Sequence, residues 1–195
     1  MRRQIVAEAA RIMAQENVHD YYQAKQKAQR RLGIASGVAS PSNEEVDVAL
    51  REYMTLFSGD VQEQRVQALR RHAYKAMRFF ADFNPYLVGA ALADTALEHS
   101  VVTLHLFAEP AERVMMFLVD QDIRHDLIDK SYRFDSRSND HQRFPAYRFS
   151  VDDQEFEVIV FPMQKQRHPP LDPVHNKAMK RLGLKQVEAL LVEGG

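Results

Sequence analysis

The sequence predicts an α+β chain in which an N-terminal helical region precedes a mixed β-sheet flanked by helices. Three observations carry this. Apolar residues recur every three or four positions up to residue 83. Beyond Asn84-Pro85 the pattern changes to short β-branched and aromatic runs. Glycine, proline and aspartate punctuate those runs as turn residues do.

The helical region reads as four helices. Ile5, Val6, Ala9, Ile12 and Met13 lie at helical spacing, and that pattern stops near Asn17. Asp20 is placed to cap a second helix, Tyr21 to Leu32, which Gly33 closes. The small, polar stretch from Ala35 to Ser42 reads as a loop. Ser42 and Glu45 then form a capping box, ahead of a buried stripe of Val46, Ala49, Leu50, Tyr53, Leu56 and Phe57. Ser58-Gly59-Asp60 is expected to end this third helix and start a fourth, Val61 to Phe83. That helix would bury Val66, Leu69, Ala73, Met77 and Phe80 until Asn84-Pro85 stops it.

The second half reads as strands with helices between them. Tyr86 to Gly89 and Val101 to Phe107 are the first two strands, with a small, mixed connection from Ala90 to Ser100. A helix from Pro110 to Asp122 follows, with proline in its first turn. Three further strands are expected at Ser131–Asp135, Arg143–Val151 and Glu155–Phe161, the last two joined by a tight turn at Asp152-Asp153-Gln154. Residues 162–182 carry four prolines and read as an extended arm, and Leu184 to Val192 as a closing helix. The organisation is therefore a helical region over 1–83, an α/β domain over 84–162, and a proline-rich arm with a C-terminal helix over 163–195.

Composition sets the outer limits. The chain has 195 residues, 45% of them hydrophobic and 27% charged, so a buried core is within reach and low-complexity disorder is excluded. No uncharged apolar run approaches the roughly 18 to 20 residues that span a bilayer, so no membrane partner is expected. With no cysteine, disulfides and thiolate metal sites are excluded. The basic start is interrupted by Glu8 and Arg11 with no small-residue cleavage site, and a cytoplasmic location is the expectation.

In the α/β part, a strand ends at Gly89-Ala90, a short connection follows, and the strand Val101 to Phe107 leads to a helix and a later acid-bearing strand, Phe156-Glu157-Val158-Ile159-Val160. This order resembles the nucleotidyltransferase superfamily related to DNA polymerase beta, especially its minimal bacterial members. The resemblance covers about residues 85–162 and implies a mixed sheet on which carboxylates from adjacent strands hold paired Mg²⁺ ions against a nucleoside triphosphate. It places the three metal-binding positions at Val101, Thr103 and Glu157, and a phosphate-binding turn at Gly89 and Ala90, where the family's usual serine is replaced by alanine. Two of the three carboxylates are thus missing. The implied protein is a catalytically degenerate nucleotidyltransferase, a binding or regulatory module without a cofactor. The alternative is an active enzyme using Mg²⁺ on relocated carboxylates, for example Glu98, Glu155 and Glu157. Beside the resemblance, Gly89 also reads as a simple bend, Glu157 as a solvent-facing strand residue, and Asp94 and Thr95 as turn and capping residues.

Histidines and charge offer other candidates. His19, His72, His125 and His141 read as solvated imidazoles. His99 with His105, and His168 with His175 and the intervening Asp172, are conceivable zinc ligands but lack a further partner in sequence. Residues 1–34 hold seven basic side chains against three acids, and residues 94–129 two against eight. Lys25, Lys27, Arg30, Arg31, Arg70 and Arg71 are therefore candidate phosphate contacts for RNA, or else are expected to pack against the acidic stretch. Nucleotide, RNA and protein remain open as partners.

Overall fold

The computed structural model describes every residue except 17, 19, 35–39, 94, 95, 98, 194 and 195. His19, most of the loop after Gly33, and Asp94, Thr95 and Glu98 therefore lie outside the described residues. The fold is α+β, as expected. The chain divides into two compact units, residues 1–64 with 173–175 and residues 65–172 with 176–195.

The first unit is helical: α1 (Arg2–Glu16), α2 (Tyr21–Arg31) and the opening turns of α3 (Asn43–Phe79). Local signals set its boundaries. The Asp20 carboxylate accepts the Gln23 N–H at 2.8 Å, and Gly33 takes φ +62 beyond the end of α2. At α3 the Ser42 hydroxyl accepts the Glu45 N–H at 3.1 Å while Glu45 accepts the Ser42 N–H at 2.7 Å, a complete capping box. Arg2 chelates the same Glu45 carboxylate, and with Ser42 holds it down to about 2. Ile5, Ala9, Ile12 and Met13 of α1, Ala24 and Ala28 of α2, and Val46, Leu50 and Met54 of α3 are buried.

Two expectations in α3 are corrected. The helix runs unbroken through Ser58-Gly59-Asp60, so one helix stands where two were expected. An interior glycine costs only about 1 kcal/mol and serine or aspartate less, whereas starting a new helix requires fresh nucleation; without a proline the ladder continues. Leu56, expected in the buried stripe, is 78% exposed. At about 100° per residue it lies about 120° round from the line through Val46, Leu50 and Met54.

The second unit begins on the later turns of α3, whose Val66, Leu69, Ala73 and Met77, with Phe80 just beyond the helix, are buried as expected. It continues through β1 (Tyr86–Val88), α4 (Ala90–Ala93), β2 (Val102–Phe107), α5 (Glu112–Asp120), β3 (Asp126–Tyr132), β4 (Gln142–Val151), β5 (Gln154–Phe161) and α6 (Leu184–Glu193). The strands form one sheet in the order β1-β2-β5-β4-β3. β2 and β5 are parallel and every other pair is antiparallel. Asp152 and Asp153, at φ 50 and 63, make the two-residue turn between Val151 and Gln154. One side of the sheet, with Leu87, Leu104, Leu106, Phe156, Val158 and Val160, packs with apolar residues of α3, α5 and α6. The other carries Phe107, Phe144, Ala146, Ile159 and Phe161.

β3 spans 126–132 rather than the expected 131–135. It is one of the sheet's two outer strands, and its charges at Asp126, Asp129 and Lys130 blunt that edge at the expense of the alternation that marks an inner strand. The tail is not an extended arm. Met163–Arg167 is a 3-10 turn, and single bridges join Leu171 to Ala178 and Leu182 to Leu87, which supplies partners for the backbone that the prolines leave unpaired.

The Phe80 ring is fully buried and contacts the rings of Phe79, Phe83, Phe117 and Phe149. Phe80→Ala should lower the free energy of unfolding by about 3–5 kcal/mol in urea titration followed by circular dichroism. A loss below about 1 kcal/mol would contradict this packing.

Candidate functional site

The registers define one row of residues across all five strands: Val88, Thr103, Glu157, Arg148 and Asp126. Directly opposed residues point to one face, so this row shares a surface. Two of the positions singled out from the sequence, Thr103 on β2 and Glu157 on β5, are thereby immediate neighbours. Val101 sits one residue before β2 begins. Gly89 follows β1 at φ +79, and a Cβ there would lie an ordinary 3.7 Å from Thr103, so the backbone conformation rather than crowding calls for glycine. Ala90 opens the four-residue α4.

Glu157 is not a solvent-facing strand residue. It is 6% exposed, although Arg148 and Lys130 reach it from the solvent side. Arg148, directly opposite on β4, donates from Nη2 to Oε2 at 2.8 Å, and Lys130 of β3 approaches Oε1 at 2.8 Å. A buried carboxylate demands such compensation, and both oxygens of this one have it. Glu155, two residues earlier on β5, lies on the same face and is exposed.

Further along that face His105, read in sequence only as a conceivable zinc ligand with His99, meets Arg181, which the sequence did not single out. His105 is fully buried, and its Nδ1 accepts the Arg181 Nε–H at 2.9 Å. Arg181 Nη1 donates to the carbonyls of Lys165 and Gln166, and the guanidinium lies 5.1 and 5.4 Å from the ring centres of Phe107 and Phe161. Burial pushes Arg181 down to about 10. Burial also pushes His105 well below its ordinary value, and the Arg181 charge acts in the same direction. Tyr132, whose ring packs on His105, is held above the usual phenol range by burial and then by the Glu157 charge. In sequence, only the placement of a histidine inside an apolar strand hinted at this arrangement.

Of the six basic candidates, Lys25, Lys27, Arg30 and Arg31 lie in the first unit and Arg70 and Arg71 in the second. Lys27 pairs with Glu16 at 2.5 Å, and Arg31 with Glu16 and Glu8, so the acidic partners described for these two are on α1. Lys25 donates to the Pro41 carbonyl and to Asn43, and Arg70 is buried and donates to the Ala91 carbonyl. Arg30 and Arg71 are exposed. Among the described residues no three histidine, aspartate or glutamate side chains are grouped as metal ligands, and no helix is long and apolar enough to cross a membrane.

Burial of neutral His105 has a consequence for stability. Imidazole in the unfolded chain titrates near pH 6.5, so below about that pH the unfolded state binds a proton that the folded state refuses. Stability should therefore fall by up to about 1.4 kcal/mol per pH unit below 6.5 from this residue alone. Urea titrations at a series of pH values should show the decline, and His105→Gln should remove that share of it; equal slopes for both proteins would contradict the assignment. No protein-family model matches the chain, and no curated protein matches it.

Proposed function

We propose that this chain is a catalytically degenerate nucleotidyltransferase-like module that binds the phosphates of a nucleotide on its own cations rather than on paired magnesium ions. The observation that carries the reading is the occupancy of Glu157. Of the three positions where the resembling family places metal-binding carboxylates, only Glu157 is an acid, and Arg148 and Lys130 already take its two oxygens. Magnesium demands near-octahedral oxygen ligation, and Thr103 with one engaged carboxylate does not offer it.

The same two cations are suited to phosphate. The Arg148 side chain is 47% exposed and commits one Nη to Glu157, which leaves further guanidinium donors facing solvent; Lys130 is 35% exposed. Glu157 orients them, and the turn at Gly89 lies beside Thr103 in the same row.

Calorimetry with ATP should show binding in EDTA that is no stronger when Mg²⁺ is added. Arg148→Ala should weaken it about tenfold, the loss expected for a charge-assisted contact, and raised salt should weaken it in both proteins. Metal-dependent binding would overturn this proposal, and turnover of a triphosphate that Glu157→Gln abolishes would favour the active alternative on relocated carboxylates such as Glu98, Glu155 and Glu157.

A further inference from the structure

On the side of the sheet away from Glu157, α3 and the β4–β5 hairpin line a cavity of about 310 Å³ that is open to solvent on one side. His72, Lys75, Ala76 and Phe79 line it at positions i, i+3, i+4 and i+7, one continuous face of the helix. Across from them, Phe149 and Phe156 lie stacked, with ring centres 5.3 Å apart and planes within 11°. Phe80 closes the floor and is fully buried, while Phe79 is 38% exposed at the opening.

Lys75 and Asp152 also line this cavity, and both are exposed. Opposite charges sharing one small cavity would ordinarily pair, yet no hydrogen bond or salt bridge joins these two among the described residues. Asp152 belongs to the two-residue hairpin turn at φ 50, which fixes where its side chain leaves the backbone. The cavity therefore presents an aromatic interior with one cation and one anion set apart at its rim.

We propose that this cavity binds a small aromatic zwitterion, an aromatic α-amino acid. Its ring would enter among the phenylalanines, its carboxylate would meet Lys75 and its ammonium Asp152. The volume lies at the small end of the range for ligand sites, which favours a single ring system over a nucleotide. Ring-on-ring contact with Phe149 and Phe156 favours an aromatic body. A purely anionic ligand would leave Asp152 repelling it, and a purely cationic one would face Lys75; a zwitterion satisfies both. This site is separate from the phosphate-binding face and does not depend on it.

The chain has no tryptophan, so indole emission from added L-tryptophan reports binding without protein background. The full chain should shift that emission to shorter wavelength and raise its anisotropy saturably. Indole-3-propionate and tryptamine, each lacking one charge, should bind about tenfold more weakly. Lys75→Ala and Asp152→Asn should each weaken tryptophan binding by a similar factor while the melting temperature stays within a few degrees, asparagine being chosen because it tolerates the left-handed backbone of the turn. The proposal is overturned if no saturable signal develops by ~10 mM tryptophan. It is equally overturned if both variants bind as the parent does, or if indole-3-propionate binds as tightly as tryptophan. Arg148→Ala should leave this binding unchanged, so the outcome is distinct from that of the nucleotide titration.

Discussion

The parallel pairing of β2 with β5 is the constraint on which the second unit depends. Every other pair in the sheet is antiparallel, and β4 and β5 are joined by a two-residue turn, so those contacts form locally. The β2–β5 pair instead closes over α5, β3 and β4, a longer loop whose entropic cost must be offset by burial. The offset is visible in the pairing: Leu104 with Val158, Leu106 with Val160 and Phe107 with Phe161 are all buried. A slip of one residue would exchange the two faces of β5, sending Glu157 into the apolar layer against the helices and Phe156 to the charged row. Register here is therefore strongly specified.

Because the register is specified, charge on the sheet is ordered rather than scattered. Glu157 is nearly inaccessible, and a carboxylate so placed is tolerated only with compensating cations. Arg148 supplies one from the directly opposed position and Lys130 another from the outer strand. The charges that blunt the β3 edge thus serve a second end, since Lys130 belongs both to that edge and to the Glu157 cluster. The phosphate-binding proposal rests on this arrangement, in which the Glu157 carboxylate is already engaged by the protein's own cations, Arg148 and Lys130.

The buried Arg181–His105 pair shows the cost of anchoring the tail. Among the described residues no carboxylate pairs with Arg181; it is held by an imidazole nitrogen, two carbonyls and two aromatic faces. Arg181 Nη2 and His105 Nε2 are buried without hydrogen-bond partners among the described residues. The residues that hold this end of the tail over the aromatic face therefore tie its docking to a neutral histidine, since a second positive charge beside the guanidinium would be opposed.

Much of the fold was legible in the sequence because its signals are local. The Asp20 cap, the Ser42–Glu45 box, the apolar stripe from Val66 to Phe80 and the Asp152-Asp153 turn each depend on residues within a few positions of one another, and each forms as the spacing implies. Where local signals were weak the reading failed: Gly59 lowers helix propensity without removing a hydrogen bond, so α3 continues, and the charged outer strand β3 lacked an apolar alternation to mark it. Of the candidate site, residue types were legible and their company was not. That Thr103 adjoins Glu157 follows from a parallel pairing 54 positions apart, and Arg181 meets His105 across 76. Likewise, the approach of Lys75 on α3 to the Asp152 turn exists only once the sheet has packed on the helix. Composition and periodicity determine which elements form and which faces are apolar; which charges meet depends on strand order and register, and these are decided by the burial of the whole sheet.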